Sequence, residues 1–309
     1  MPTGFLVSGA RMRDQRAGLG EIARIAIDAG RAIMQVYAQP EAWNVAIKQD
    51  ASPVTQADLR ANEIIVSALS RLAPEIPVLS EESPWTGDTA GTYWAVDPLD
   101  GTKEFLKRNG EFTVNIALVV NGIAQLGVIC APAWKTLWVG VSGDLTADAQ
   151  RPWAARMELS ALELSSFARG RWQEISAATA VSPQPLDVHA DRQPGQSLPP
   201  APLPLRMVVS RARGSTGYPA WVTPLLTGAS ITGRGSSLKF CLVAQGDADL
   251  YVRMGPTSIW DTAAGHAILA AAGGQVVHAQ TRSVLTYPDP RAVSNPDFVA
   301  YGPRLTGPL

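Results

Sequence analysis

Residues 94–105, Trp-Ala-Val-Asp-Pro-Leu-Asp-Gly-Thr-Lys-Glu-Phe, constrain this chain more than any other stretch. An apolar run that reads as a buried strand opens directly into Asp97-Pro98-Leu99-Asp100-Gly101-Thr102. Pro98 presets φ at the first turn position, which lets the two carboxylates converge and leaves the Leu99 carbonyl available as a further ligand. Gly101 lets the backbone approach a bound group closely. Thr102 is placed to cap the next helix, whose free N–H groups attract phosphate. Strand, acidic turn and helix in succession point to a mixed α/β chain with oxygen ligands for a hard divalent cation.

Other helices and strands follow from periodicity. Leu19, Ile22, Ala26, Ala29, Ile33 and Val36 have helical spacing, predicting an amphipathic helix over 18–39. A second helix is expected over 56–72, with Ile64, Ile65, Ala68 and Leu69 inward and Pro74 and Pro77 punctuating its end. Strand-like runs are 42–49, 76–79, 92–96, 112–120, 123–130, 137–141, 205–210 and 248–252, and Asn121-Gly122 marks a hairpin. Further helices are expected over 236–244 and 261–272, the latter ended by Gly273-Gly274. Residues 142–204 are the least regular, and 182–204 hold seven prolines, which reads as an exposed connection.

At 309 residues the chain is long enough for a large core, as one domain or two lobes. A net charge of −1 without any Lys/Arg block argues against a nucleic-acid polymer as partner but leaves room for a small anionic substrate. Cys130 and Cys241 lie far apart in apolar runs and read as buried thiols of a reducing compartment. No secretory leader or transmembrane run is recognised, so the expected location is the cytoplasm.

Four acids stand out: Glu81, Asp97, Asp100 and Asp261. Each also has a plain reading. Pro-x-Asp-Gly is a common surface turn, Asp261 suits a helix N-cap, and Glu81-Glu82 suits a solvated pair. Spacing alone leaves both readings standing. The three histidines, His189, His266 and His278, have no metal-ligand spacing, and no Walker loop, G-x-S-x-G or Cys-x₅-Arg occurs.

Taken together, Glu81-Glu82, Asp97–Thr102 and Trp260-Asp261-Thr262-Ala263-Ala264-Gly265 resemble the lithium-sensitive, Mg²⁺-dependent phosphatase superfamily that includes the inositol monophosphatases. Flanking segments narrow this: 103–118, 52–58, 235–239 and 255–261 are similar to its 3′(2′),5′-bisphosphate nucleotidase branch. The resemblance covers about 18–140 and 205–302. The branch usually has Ser-Arg-Ser-His near position 210, where this chain has Ser210-Arg211-Ala212-Arg213, which bears on substrate preference.

The resemblance implies a layered αβαβα sandwich: one catalytic unit over 1–309, with an N-terminal lobe over 18–204, a C-terminal lobe over 205–309 and the site between them. It implies two Mg²⁺ ions, one on Glu81, Asp97 and the Leu99 carbonyl, the other on Asp97, Asp100 and Asp261, clamping an in-line displacement. Glu81 and Thr102 would activate water, and the Gly101 and Thr102 amides would hold phosphate. Asp50 is a candidate for a third metal or a turn-forming residue. Ser236, Lys239 and Arg253 are candidates for contacting substrate, with a plain surface role as the alternative for Lys239 and Arg253. The implied reaction takes adenosine 3′,5′-bisphosphate to AMP and phosphate, with 3′-phosphoadenylyl sulfate as a related substrate, in sulfate assimilation. Inositol or sugar monophosphate hydrolysis and non-catalytic sensing of the nucleotide are the alternatives. Some relatives associate with the inner face of the membrane, although no anchor is evident here.

Overall fold

The computed structural model describes residues 15–48, 52–87, 91–142, 152–159, 204–211, 217–302 and 305. Asp50, His189 and the proline-rich stretch up to residue 203 lie outside the described residues. The helices are α1 (Gln15–Tyr37), α2 (Gln56–Leu72), α3 (Thr102–Leu106), α4 (Leu238–Ala244) and α5 (Ile259–Ala271). Strands β1 (Ala46–Ile47) and β2 (Pro53–Val54) form a small antiparallel pair. A six-stranded sheet follows in chain order: β3 (Val78–Ser80), β4 (Thr92–Asp100), β5 (Thr113–Val120), β6 (Ile123–Ala131), β7 (Thr136–Val141) and β8 (Trp153–Glu158). It is antiparallel except for the β3–β4 pair. The remaining strands are β9 (Arg206–Ser210), β10 (Ser230–Arg234), β11 (Leu250–Arg253), β12 (Thr257–Ser258), β13 (Gln275–His278), β14 (Ser294–Asn295) and β15 (Phe298–Tyr301). Five of them make a second sheet in the order β10-β9-β11-β15-β13, with β10, β9 and β11 parallel.

Alternation along the strands sorts the core into three layers. Trp94 and Val96 of β4 join Val114, Ile116 and Leu118 of β5 under α1 and α2, where Ile33, Ile65 and Leu69 are fully buried. The alternate residues Tyr93, Ala95, Ala117 and Val119 face the other way, against α4 and α5. On β9, Val208 faces this middle layer, whereas Met207 and Val209 face an outer one closed by the short helical turn Thr223–Leu226. Helix, sheet, helix, sheet and helical turn thus stack in succession. Each fully buried Leu or Ile is worth about 1.5–3 kcal/mol relative to exposure, so the stacking follows from the period-2 and period-3.6 apolar patterns.

Helix α5 lies unusually close to the first sheet. Gly127 on β6 and Gly140 on β7 are cross-strand partners. A Cβ on Gly127 would lie 2.1 Å from the Ala264 carbonyl oxygen, and one on Gly140 2.4 Å from Ile268 Cα. Ala264 and Ile268 are one helical turn apart, so the glycine pair forms a trough for one face of α5.

Two expectations change. The strand expected over 42–49 shrinks to Ala46–Ile47, whose residues are exposed and have little to pack on. The irregular region contains β8. Both Cys130 and Cys241 are buried and free. Among the described residues, no helix is long and apolar enough to cross a membrane.

His266 on α5 is buried, with Nδ1 3.1 Å from the Tyr287 hydroxyl, and burial pulls its pKa down to about 4. The unfolded chain therefore binds a proton here, between pH 6.5 and 4, that the fold refuses. Stability from this site is complete above pH 6.5 and is lost on acidification at about 1.4 kcal/mol per pH unit. Urea unfolding across that range should show the wild type losing stability faster than His266→Gln. Parallel slopes would refute the assignment.

Candidate active site

Strand β4 runs on through Pro98 to Asp100 instead of ending at Val96. Opposite it, Asp97 pairs with Asn115 and Asp100 with Thr113, so three steps on β4 oppose two on β5. That extra residue is a β-bulge, which accommodates a proline inside a paired strand. It also has a stereochemical effect. Residues three apart on a regular strand point to opposite faces, but the bulge restores them to one face. The expected convergence of Asp97 and Asp100 is real, with a bulge in place of a free turn. The Leu99 N–H donates to Asp97 Oδ1 at 3.0 Å, and Gly101 has φ +96°, in the left-handed region.

Asp261 arrives from the other half of the chain on α5. Its Oδ2 accepts the Ser258 N–H at 2.7 Å, so Ser258 is the N-cap and Asp261 the third helical residue of a capping box, in place of the expected cap. Carboxylate oxygens of Asp97, Asp100 and Asp261 all lie within 4.8 Å of one another. Glu81 follows β3, close enough for its charge to act on Asp97. Burial, followed by the charges of Glu81, Asp100 and Asp261, pushes Asp97 well above the usual carboxylate range. Burial and Asp100 push Asp261 up to about 7, against the opposing Ser258 N–H bond. An all-oxygen donor set this deficient in positive charge fits a hard divalent cation.

Lys48 bridges Glu81 at 2.7 Å and Glu82 at 2.5 Å. Burial pulls the Lys48 ammonium down, but its bonds to the two carboxylates outweigh this and leave it above the ordinary lysine value.

Thr102 is the first residue of α3, with Gly101 taking the N-cap place instead. The Thr102 hydroxyl donates to Asp58 Oδ1 at 3.0 Å and lies 3.4 Å from the Leu99 carbonyl oxygen. Asp58 is buried at the start of α2, where its Oδ2 accepts the Thr55 N–H and hydroxyl at 2.7 and 2.6 Å. Burial raises its pKa despite these bonds. Thr55-x-x-Asp58 is a capping-box pattern that announces a helix start, but nothing in it announces a partner 44 residues away.

The other candidates are placed as follows. Ser236 has φ +45° beside Gly101, and its Oγ lies 3.4 Å from the Leu238 N–H donor. Lys239 is buried, its Nζ bonded to the Ser236 carbonyl and 5.2 Å from the centre of the Tyr251 ring. Burial pulls its pKa down to about 8, against the attraction of Asp100. Arg253, at the end of β11, donates through Nη2 to the Pro256 carbonyl at 2.8 Å.

Two polar residues from the segments that carry the resemblance, given no role there, bond to the acids. The Ser237 hydroxyl lies 2.7 Å from Asp100 Oδ2 and 2.9 Å from the Asp261 carbonyl, and accepts Asn115 Nδ2 at 2.9 Å. Asn115 sits one ladder position from the bulge and accepts the Thr113 hydroxyl at 2.9 Å.

Comparison with known proteins agrees with this arrangement. The model of the inositol monophosphatase family matches residues 19–305. The 3′(2′),5′-bisphosphate nucleotidase CysQ of Salmonella typhimurium is 40% identical over 283 residues, covering 91% of this chain and 98% of its own length. The same-named protein of Escherichia coli strain K12 is 39% identical with the same coverage. Among solved structures, CysQ from Bacteroides thetaiotaomicron matches with a TM-score of 0.68 at 33% identity, covering 94% of this chain and 99% of its own. The inositol monophosphatase of Anabaena, at 22% identity and a TM-score of 0.59 over 92% of this chain and 90% of its own, shares the fold. On sequence, architecture and the meeting of its acids, the chain belongs to the inositol monophosphatase family.

Proposed function

We propose that this protein is a Mg²⁺-dependent phosphomonoester hydrolase that converts adenosine 3′,5′-bisphosphate to AMP and phosphate. The carrying observation is the 40% identity to bisphosphate nucleotidases across nine-tenths of a chain in which Asp97, Asp100 and Asp261 converge. On this reading 3′-phosphoadenylyl sulfate is a second substrate. The setting is the cytoplasm, where the enzyme clears a by-product of sulfate assimilation.

Glu81, Asp97, the Leu99 carbonyl, Asp100 and Asp261 would hold two Mg²⁺ ions. When bound, these supply Lewis-acid charge that acidifies water and neutralises the leaving alkoxide. The residues of the chain do the rest. The Gly101 and Thr102 amides hold the phosphoryl oxygens in line with the attacking water. Thr102 Oγ1, its proton already directed at Asp58, accepts a hydrogen bond from that water and aligns it. Glu81, whose charge acts on Asp97, takes that water's proton. No histidine is needed in this scheme, and His266, buried and neutral, stays out of it.

The test is phosphate release from nucleotide bisphosphates, inositol 1-phosphate and fructose 1,6-bisphosphate with Mg²⁺, with and without Li⁺. Adenosine 3′,5′-bisphosphate should be turned over fastest, and Li⁺ should inhibit. Faster release from inositol 1-phosphate would replace the substrate assignment, and tight nucleotide binding without turnover would replace the enzyme by a sensor.

A further inference from the structure

We infer that the buried Glu111 carboxylate is a positioning residue: it anchors the segment Gly235–Ser237 so that Ser237 fixes Asp100 against Asp261 at the spacing metal binding requires. The inference rests on the proposed metal-dependent site and adds a residue that none of the metal or substrate roles above includes.

Glu111 lies between α3 and β5, and its side chain reaches across to the second sheet. Its Oε2 accepts the Gly235 N–H at 2.8 Å and Arg211 Nε at 3.0 Å, while Oε1 accepts Arg211 Nη2 at 2.7 Å. Arg234 Nη1 stands 3.8 Å away. Arg211 follows β9 and Arg234 ends β10, so one carboxylate ties together the carboxyl ends of two parallel strands. Burial alone would raise its pKa, but the Arg211 and Gly235 bonds outweigh that and hold it below the ordinary glutamate value. The fit is also steric. A Cβ on Gly235 would lie 2.6 Å from Glu104 Cγ and 2.8 Å from the Glu111 carbonyl oxygen, so Gly235 occupies a slot between the two glutamates.

Two residues on, the Ser237 hydroxyl meets both Asp100 Oδ2 and the Asp261 carbonyl. The three-residue span 235–237 is therefore pinned at one end by Glu111 and at the other by two metal acids drawn from opposite halves of the chain. Outer residues of this kind orient ligands without touching the metal, and their loss typically costs 10–100-fold in affinity.

The experiment is calorimetric titration of Mg²⁺ into the metal-stripped full chain. Glu111→Ala should weaken binding about tenfold. Glu111→Gln, which keeps an acceptor for the Gly235 N–H but removes the charge, should bind close to wild type. Ser237→Ala should weaken binding, and adding Glu111→Ala to it should change little further, because both act through one segment. If Glu111→Ala fails to fold, Glu111→Asp, which retracts the carboxylate from Gly235, should shift affinity in the same direction. Wild-type affinity in Glu111→Ala or Glu111→Asp, equal losses in Ala and Gln, or additive losses with Ser237→Ala would each overturn the inference. Wild-type protein that binds Mg²⁺ but releases no phosphate from the bisphosphate would instead sink the functional reading and leave this series readable. Wild-type protein that binds no Mg²⁺ overturns both.

Discussion

Asp97→Asn and Asp261→Asn should each lower kcat by about 10²-fold or more, because each removes an anionic oxygen shared by the proposed metal site. The same substitutions should not unfold the metal-free protein. Asp97 and Asp261 are held with pKa values raised by burial and mutual repulsion, so as anions they oppose folding at neutral pH. Their structural bonds are ones an asparagine oxygen can still accept: the Leu99 N–H for Asp97 and the Ser258 N–H for Asp261. The expected signature is therefore paired. Activity collapses and the stabilisation conferred by Mg²⁺ disappears, while the melting temperature in EDTA stays level or rises. Asn variants that keep full activity would remove these acids from the site. A large drop in metal-free stability would show that their role is structural.

Gly127→Val should be the most destabilising single substitution in the first sheet, costing about 3 kcal/mol or more through overpacking. Even the first added carbon would lie 2.1 Å from the Ala264 carbonyl oxygen, and backbone on both sides leaves no side chain to rotate away. Helix α5 must lift, and Asp261 sits in its first turn. Loss of stability should thus come with loss of metal affinity. Chemical denaturation together with Mg²⁺ titration measures both, and a variant of near wild-type stability would show that the close approach is not needed.

Where local signals were strong, the sequence located elements well. Helix α2 runs from Gln56 to Leu72, the expected range, and stops ahead of Pro74. At Asn121-Gly122 both residues have positive φ, 50° and 78°, the conformation that pair favours. Strand β10 went unrecognised because Ser230, Ile231 and Thr232 are exposed and the run lacks an apolar face. Pro98 presets φ for a turn, so the local pattern stops the strand at Val96, and a bulge is a tertiary solution that no local pattern announces. The acids themselves were legible by type and by resemblance. Their meeting was implied by the resemblance alone and not by any local pattern, because Asp100 and Asp261 are brought together by packing of α5 on the first sheet. Asp58, Asn115, Ser237 and Glu111 fall in segments that carry the resemblance, but their contacts were illegible because each acts on a partner that is distant along the chain or on another element.

The glycine trough also governs how the reactive centre can come into being. Asp97 and Asp100 belong to a sheet completed before residue 160, yet Asp261 rides on the helix that the trough receives. Severing the polypeptide between the two sheets would leave one piece with Glu81, Asp97 and Asp100 and the other with Asp261. Cation uptake on mixing such pieces would then report when the helix has docked, making the reaction itself a gauge of assembly.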